Sequence, residues 1–130
     1  MGITILRSGT CALAGGQGLY FLVTGVWPLA HMESFLAVTG PKTDLWLVQT
    51  VGALIAAVGT ALLLAALSGR VTWDVALLGA LTAAALAAVD ITFVTRDVIP
   101  PVYLADAVPE VVFVLWWLVG AARAAGPRSG

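Results

Sequence analysis

Charge is what this sequence has least of. Only 10% of its 130 residues are Asp, Glu, Lys or Arg, against 61% hydrophobic ones, and the mean hydropathy is +1.03. A soluble domain carries about 25% charged residues, so a water-soluble monomer is excluded. The cations Arg7, Lys42, Arg70, Arg96, Arg123 and Arg128 are scattered, and the net charge is −1. They form no basic stripe of the kind a phosphate backbone requires, which excludes nucleic acid as a partner. Cysteine is scarcer still: Cys11 stands alone, leaving no internal disulfide, no CxxC redox pair and no Cys/His spacing for zinc. The single histidine, His31, has Met32 and Glu33 beside it, but one imidazole without a second nitrogen or sulfur ligand does not make a transition-metal site. With no nucleophile–base pair in view either, the sequence assigns no catalytic residue, metal ligand or cofactor.

Long apolar runs are what it has in abundance. A helix crosses a ~30 Å hydrocarbon core with about 20 apolar residues, and four such runs occupy approximately 11–30, 44–67, 71–94 and 101–122. The breaks between them are of types that end or begin helices. Gly40-Pro41 interrupts the first connection, Asp44 can cap the second helix, Ser68-Gly69-Arg70 forms a tight turn, and Pro100-Pro101 opens the fourth where missing N–H groups do no harm. Arg7 followed by an apolar run has the outline of a signal peptide. There is no A-x-A-like cleavage site, and Ser8-Gly9-Thr10 makes no lipoprotein box before Cys11, so the run is read as the first helix. The expected fold is all-α: one transmembrane domain over residues 1–130, an integral membrane antiparallel four-helix bundle with short connections between neighbours.

Orientation follows from the positive charges flanking the spans, which favour the cytoplasm. Arg7, Arg70, Arg123 and Arg128 fall on one side, Lys42 and Arg96 on the other, so both termini are expected in the cytoplasm and the chain in a cell membrane, the inner membrane of a bacterium. Trp27 and Trp46 then mark the outer interface, and Trp73, Trp116 and Trp117 the inner one. Gly52, Ala56 and Gly59 on the second helix, and Gly79, Ala83 and Ala87 on the third, supply the small residues through which helices approach closely in lipid.

Carboxylates inside spans are costly and turn toward the interior, so each is a candidate for function. Asp90 follows Ala87, Ala83 and Gly79 by three, seven and eleven residues, which places it on the packed face of the third helix. Asp106 and Glu110 are one turn apart on the fourth, followed on the same face by Phe113 and Trp117. Gln49, Ala53, Ala56 and Thr60 form a stripe on the second helix; Gln17, Phe21, Thr24 and, beyond Pro28, His31 form one on the first. If these seams face one another, Gln49, Asp90, Asp106 and Glu110 line an outward-opening acidic pocket, with Glu33 or His31 near its rim. The competing expectation is an ion-paired network in which Lys42 and Arg96 neutralise Asp90 and Asp106 and fix the helix register. Pro109 either kinks a continuous fourth helix or begins it. Trp116-Trp117 reads as an interfacial anchor, and Asp74 as a first-turn carboxylate favoured by the helix dipole.

Residues 38–48, with Tyr103-Leu104-Ala105-Asp106-Ala107 later, resemble small uncharacterised bacterial four-helix membrane proteins, DoxX-like in general layout. A more distant likeness is to the four-helix sterol-isomerase and sigma-2-receptor fold with its intramembrane carboxylates. The resemblance implies architecture and no assigned activity. Four roles are compatible with these residues. The first is binding of a small lipophilic or cationic ligand, a lipid or amphiphile, in the acidic pocket. The second is proton-coupled transport, for which a chain this small would require a homo-oligomer. The third is an intramembrane enzyme using Glu110 as proton donor or acceptor, and the fourth a structural or assembly subunit. Membrane lipids are partners in all four.

Overall fold

A computed structural model describes residues 8–125. Among these, five α-helices and one 3-10 turn follow in the order α1 (Ser8–Ala30), α2 (Met32–Thr39), α3 (Leu45–Leu67), α4 (Trp73–Thr95), the 3-10 turn (Pro101–Tyr103) and α5 (Leu104–Ala125). The protein is all-helical, as the apolar runs require. Three segments, Leu45–Leu67, Trp73–Thr95 and Pro101–Ala124, are long and apolar enough to cross a membrane, and α1 qualifies as a fourth only together with α2. Outward faces carry Leu54, Leu64, Leu81 and Leu115, each more than half exposed, a surface suited to lipid and not to water. Arg7 and Arg128, counted for orientation, lie outside the described residues.

The sequence placed a loop where α2 lies. α1 ends at Ala30 after Pro28, whose missing N–H weakens the last turn, and His31 leaves the helical region at φ −151°, ψ 80°. His31 then caps the next helix: its Nδ1 accepts from the Ser34 backbone N–H at 3.2 Å. The chain turns through 111° between α1 and α2, and Gly40, at φ 97°, ends the short helix. Asp44 occupies the N-cap position of α3, yet its side chain makes no cap hydrogen bond. The 68–72 turn is built as expected, with Gly69 at φ 66° and the Arg70 N–H bonded back to Ala65 O at 2.9 Å, the glycine-terminated closure of a helix. α5 runs unbroken through Pro109, which decides between the two readings of the fourth helix.

Packing is uneven. α1 lies along α3 over most of its length and α4 along α5, while contacts between these two pairs are few. The α1–α3 contact is antiparallel and made through glycine: Gly18 faces Gly59, and Gly25 faces Gly52. A Cβ placed at Gly25 would lie 2.5 Å from the Gly52 carbonyl oxygen, and one at Gly18 2.7 Å from that of Gly59, so only hydrogen fits and the backbones touch. α4 presents Ala76, Gly79, Ala83, Ala87 and Asp90 as its buried face, the stripe read from the sequence. Leu13, Phe21, Leu62, Val71 and Trp117 form the apolar core between the pairs.

A carboxylate-walled cavity as the candidate functional site

The Gln17 seam of α1 and the Trp117 face of α5 meet at a buried polar contact. Trp117 Nε1 donates to Gln17 Oε1 at 2.6 Å, and Gln17 Nε2 donates to the Gly79 carbonyl at 2.9 Å. Gly79 is required here because a Cβ would sit 2.6 Å from Trp117 Nε1. Trp117 is thus a core residue, 1% exposed, whereas Trp116 is 41% exposed. Consecutive residues on a helix point about 100° apart, so of the expected pair of anchors only Trp116 faces outward.

From this contact toward α2, the helices diverge around a cavity of about 480 Å³, within the size range of small-molecule sites. Its wall is mainly aliphatic and aromatic, with Asp90, Asp106 and Glu110 on one side. Three of the four expected site residues are therefore together. Asp90 is presented by the small-residue face of α4, and its carboxyl group faces that of Asp106 across the α4–α5 contact. Asp106 and Glu110 are on the same face of α5, one turn apart. Tyr20 Oη donates to Asp106 Oδ1 at 2.5 Å. Glu110 is 0% exposed and Asp90 5%; both Glu110 carboxylate oxygens and Asp90 Oδ2 are buried without a hydrogen-bond partner.

Gln49 is not in the site. It is exposed, because the register of α3 is set by Gly52 and Gly59 closing on α1. The cavity lies to the side of that glycine seam lined by Leu47, Val51 and Ile55, and Gln49 falls on the other side. Glu33 and His31 are also exposed, and His31 serves as the cap of α2.

The cations do not neutralise the carboxylates. The Lys42 ammonium donates to Thr39 O (3.3 Å), Thr39 Oγ1 (2.9 Å) and Gly40 O (3.1 Å), and it lies 5.4 and 5.3 Å from the ring centroids of Phe35 and Tyr103. Three donors satisfied and two aromatic faces engaged leave it nothing to offer a carboxylate. Arg96 is exposed at the C-cap of α4. The ion-paired network expected from the sequence is absent among the described residues.

Tyr20, Trp27, Phe35 and Tyr103 line the cavity, and the sequence offered none of them as a site residue. Tyr20 had a signal: it follows Gln17 by three residues and precedes Thr24 by four, so it shares their face. Trp27 donates from Nε1 to Ser34 Oγ at 2.8 Å and packs edge-on against Phe35, contacts that depend on the α1–α2 bend. Among the described residues no three His, Cys, Asp or Glu side chains converge as a metal ion would need. Searches of family models, curated proteins and solved structures found no match to the chain.

Proposed function

We propose that the four long helices form an antiparallel bundle in a cell membrane, with both chain ends in the cytoplasm, and that the protein binds a lipophilic amine in the acidic cavity. The observation that carries the ligand reading is Glu110. It is wholly buried with both carboxylate oxygens unpartnered, on the wall of a cavity large enough for a guest. A buried carboxylate without a partner is costly, and among the described residues no cation pairs with it. An ammonium group on an apolar body satisfies the carboxylates and fills the aliphatic and aromatic remainder of the cavity, and protonated amines also suit the faces of Tyr20 and Trp27. The likeness to DoxX-like proteins adds the layout only.

The test uses purified protein in lipid nanodiscs with dodecylamine as the probe and dodecanol as the uncharged control. Dodecylamine binds and dodecanol does not compete. Glu110→Gln keeps the shape, removes the charge and weakens amine binding by roughly 30-fold, the equivalent of about 2 kcal/mol for losing one partner of a buried charge contact. Acidification weakens binding as well, because protons and the amine compete for the same carboxylates. Equal affinity of the wild type and Glu110→Gln for dodecylamine would overturn the reading.

A further inference from the structure

The cavity is closed toward one end and open at the side. At the end, α2 lies across the helices, Gly40 approaches Pro100, and Lys42 ties the 39–42 segment to Phe35 and Tyr103. Every polar residue of the lining is at least partly covered there: Thr39, Asp90 and Glu110 are buried, and Tyr20, Thr24, Lys42, Tyr103 and Asp106 half-buried. The side is different. α3 and α4 are joined by the short 68–72 turn yet approach each other at few points, and α3 makes no close approach to α5 at all among the described residues. A residue that lines a cavity and is also exposed marks where that cavity opens. Leu47, Val51, Val89, Val102, Ala105 and Val38 meet both conditions. All six are apolar, and five of them belong to α3, α4, α5 and the 3-10 turn before it.

A rim without a polar atom in its side chains is a poor entrance from water and a good one from hydrocarbon. We infer that the gap between α3 and the α4–α5 pair is a lateral portal, through which a ligand already dissolved in the bilayer slides in sideways along Val51 and Val89 until its ammonium reaches the carboxylates. The ligand class follows: a membrane-resident amphiphile that partitions before it binds, not a water-soluble cation arriving past α2. This rests on the reading of the cavity as an amine site.

The experiment measures dodecylamine association and release on full-length protein in liposomes of graded cholesterol content, which lowers partitioning of the amine, each at the same free aqueous amine. If entry is lateral, the association rate falls in step with the mole fraction of amine in the lipid although the aqueous concentration is constant. Val51→Trp and Val89→Trp, which narrow the gap, slow association and release together by about tenfold, within the range over which on-rates respond to changes at a single site. Leu81→Trp, on the outward face of α4 and away from the cavity lining, leaves both rates unchanged. A rate that stays constant across the lipid series, or one that the two gap substitutions leave unchanged, overturns the portal. The lipid series needs no variant, so a misfolded tryptophan variant does not remove the test. Loss of binding in Glu110→Gln with unaltered rates in the gap variants sinks the portal while leaving the site; intact binding in Glu110→Gln sinks the site itself.

Discussion

Gln17 is held from both directions, accepting from the Trp117 indole and donating to the Gly79 carbonyl, and it is completely buried. With the Tyr20–Asp106 hydrogen bond it is one of the polar links between the two helix pairs, and the fully buried one. Gln17→Leu retains the volume and strands the indole N–H, at a cost of about 1–3 kcal/mol for an unsatisfied buried donor. The expected result is a lower unfolding temperature in detergent, with no such loss for Gln49→Leu, whose side chain is exposed; equal stability of the two would contradict the link. The same pair of glutamines shows what could be read residue by residue. Asp90, Asp106 and Glu110 came together because helical phase is a local property and small residues or aromatic neighbours fixed which face was inward. Gln49 did not join them because its orientation depends on which glycines meet across α1 and α3, and that is decided by two helices at once. Lys42 was misassigned for a related reason: charge complementarity suggests carboxylate partners, but the ammonium is captured by Thr39 and Gly40, three and two residues away, before it can reach them.

The α1–α3 contact is the element whose tolerance is lowest. Gly18 and Gly25 are seven residues apart, as are Gly52 and Gly59, so in antiparallel order both pairs meet on one face after two turns. Gly52→Leu or Gly59→Leu drives a side chain into opposing backbone, since even a Cβ there would lie 2.6 Å from a carbonyl oxygen. Ala83→Leu acts similarly on the fully buried face of α4. All three are expected to lower the yield of folded protein in detergent far more than Leu54→Ala, whose side chain is exposed; equal yields would mean that these faces are assigned wrongly. Helix boundaries were legible where proline, glycine and a change of composition coincide, as at 68–72 and 100–103. α2 was not, because residues 32–39 are too few for an apolar period, and their helicity rests on the His31 cap and on contacts with Trp27.

For the molecule as a whole, segments 40–44 and 96–103 share one end, where Gly40 meets Pro100, and the 68–72 turn shares the other with the described ends of the chain, where Thr10 meets Gly120. In a Cys11→Ala background, cysteines replacing Lys42 and Arg96 are expected to react with an impermeant thiol reagent added to intact cells, and those replacing Arg70 and Arg123 to remain protected. The opposite pattern would invert the orientation that positive charges imply. Crossing number was the least legible feature at this scale. Four apolar runs are visible in the sequence, but the first, a 23-residue helix carrying Gln17 and Pro28, turns at a bend into α2, and three helices meet the length and hydropathy of a span unaided.

The Gln17–Trp117–Gly79 contact lies at the opposite end of the cavity from α2, and this gives the fold a pivot. The backbones of α1 and α3 touch, α4 and α5 adjoin along their length, and the two pairs are tied at three levels: the pivot, the Tyr20–Asp106 hydrogen bond, and the meeting of Lys42 with Tyr103 at the far end. Pro28, at the far end of the cavity, is eleven residues from Gln17, or about 16 Å along the helix. A swing of roughly 5° about the pivot would move the far wall by about 1.4 Å over that arm, and the contact of Lys42 with Tyr103 opposes it there. The width of the cavity is thus set from both ends, by the Gln17 contact at one and by Lys42 at the other.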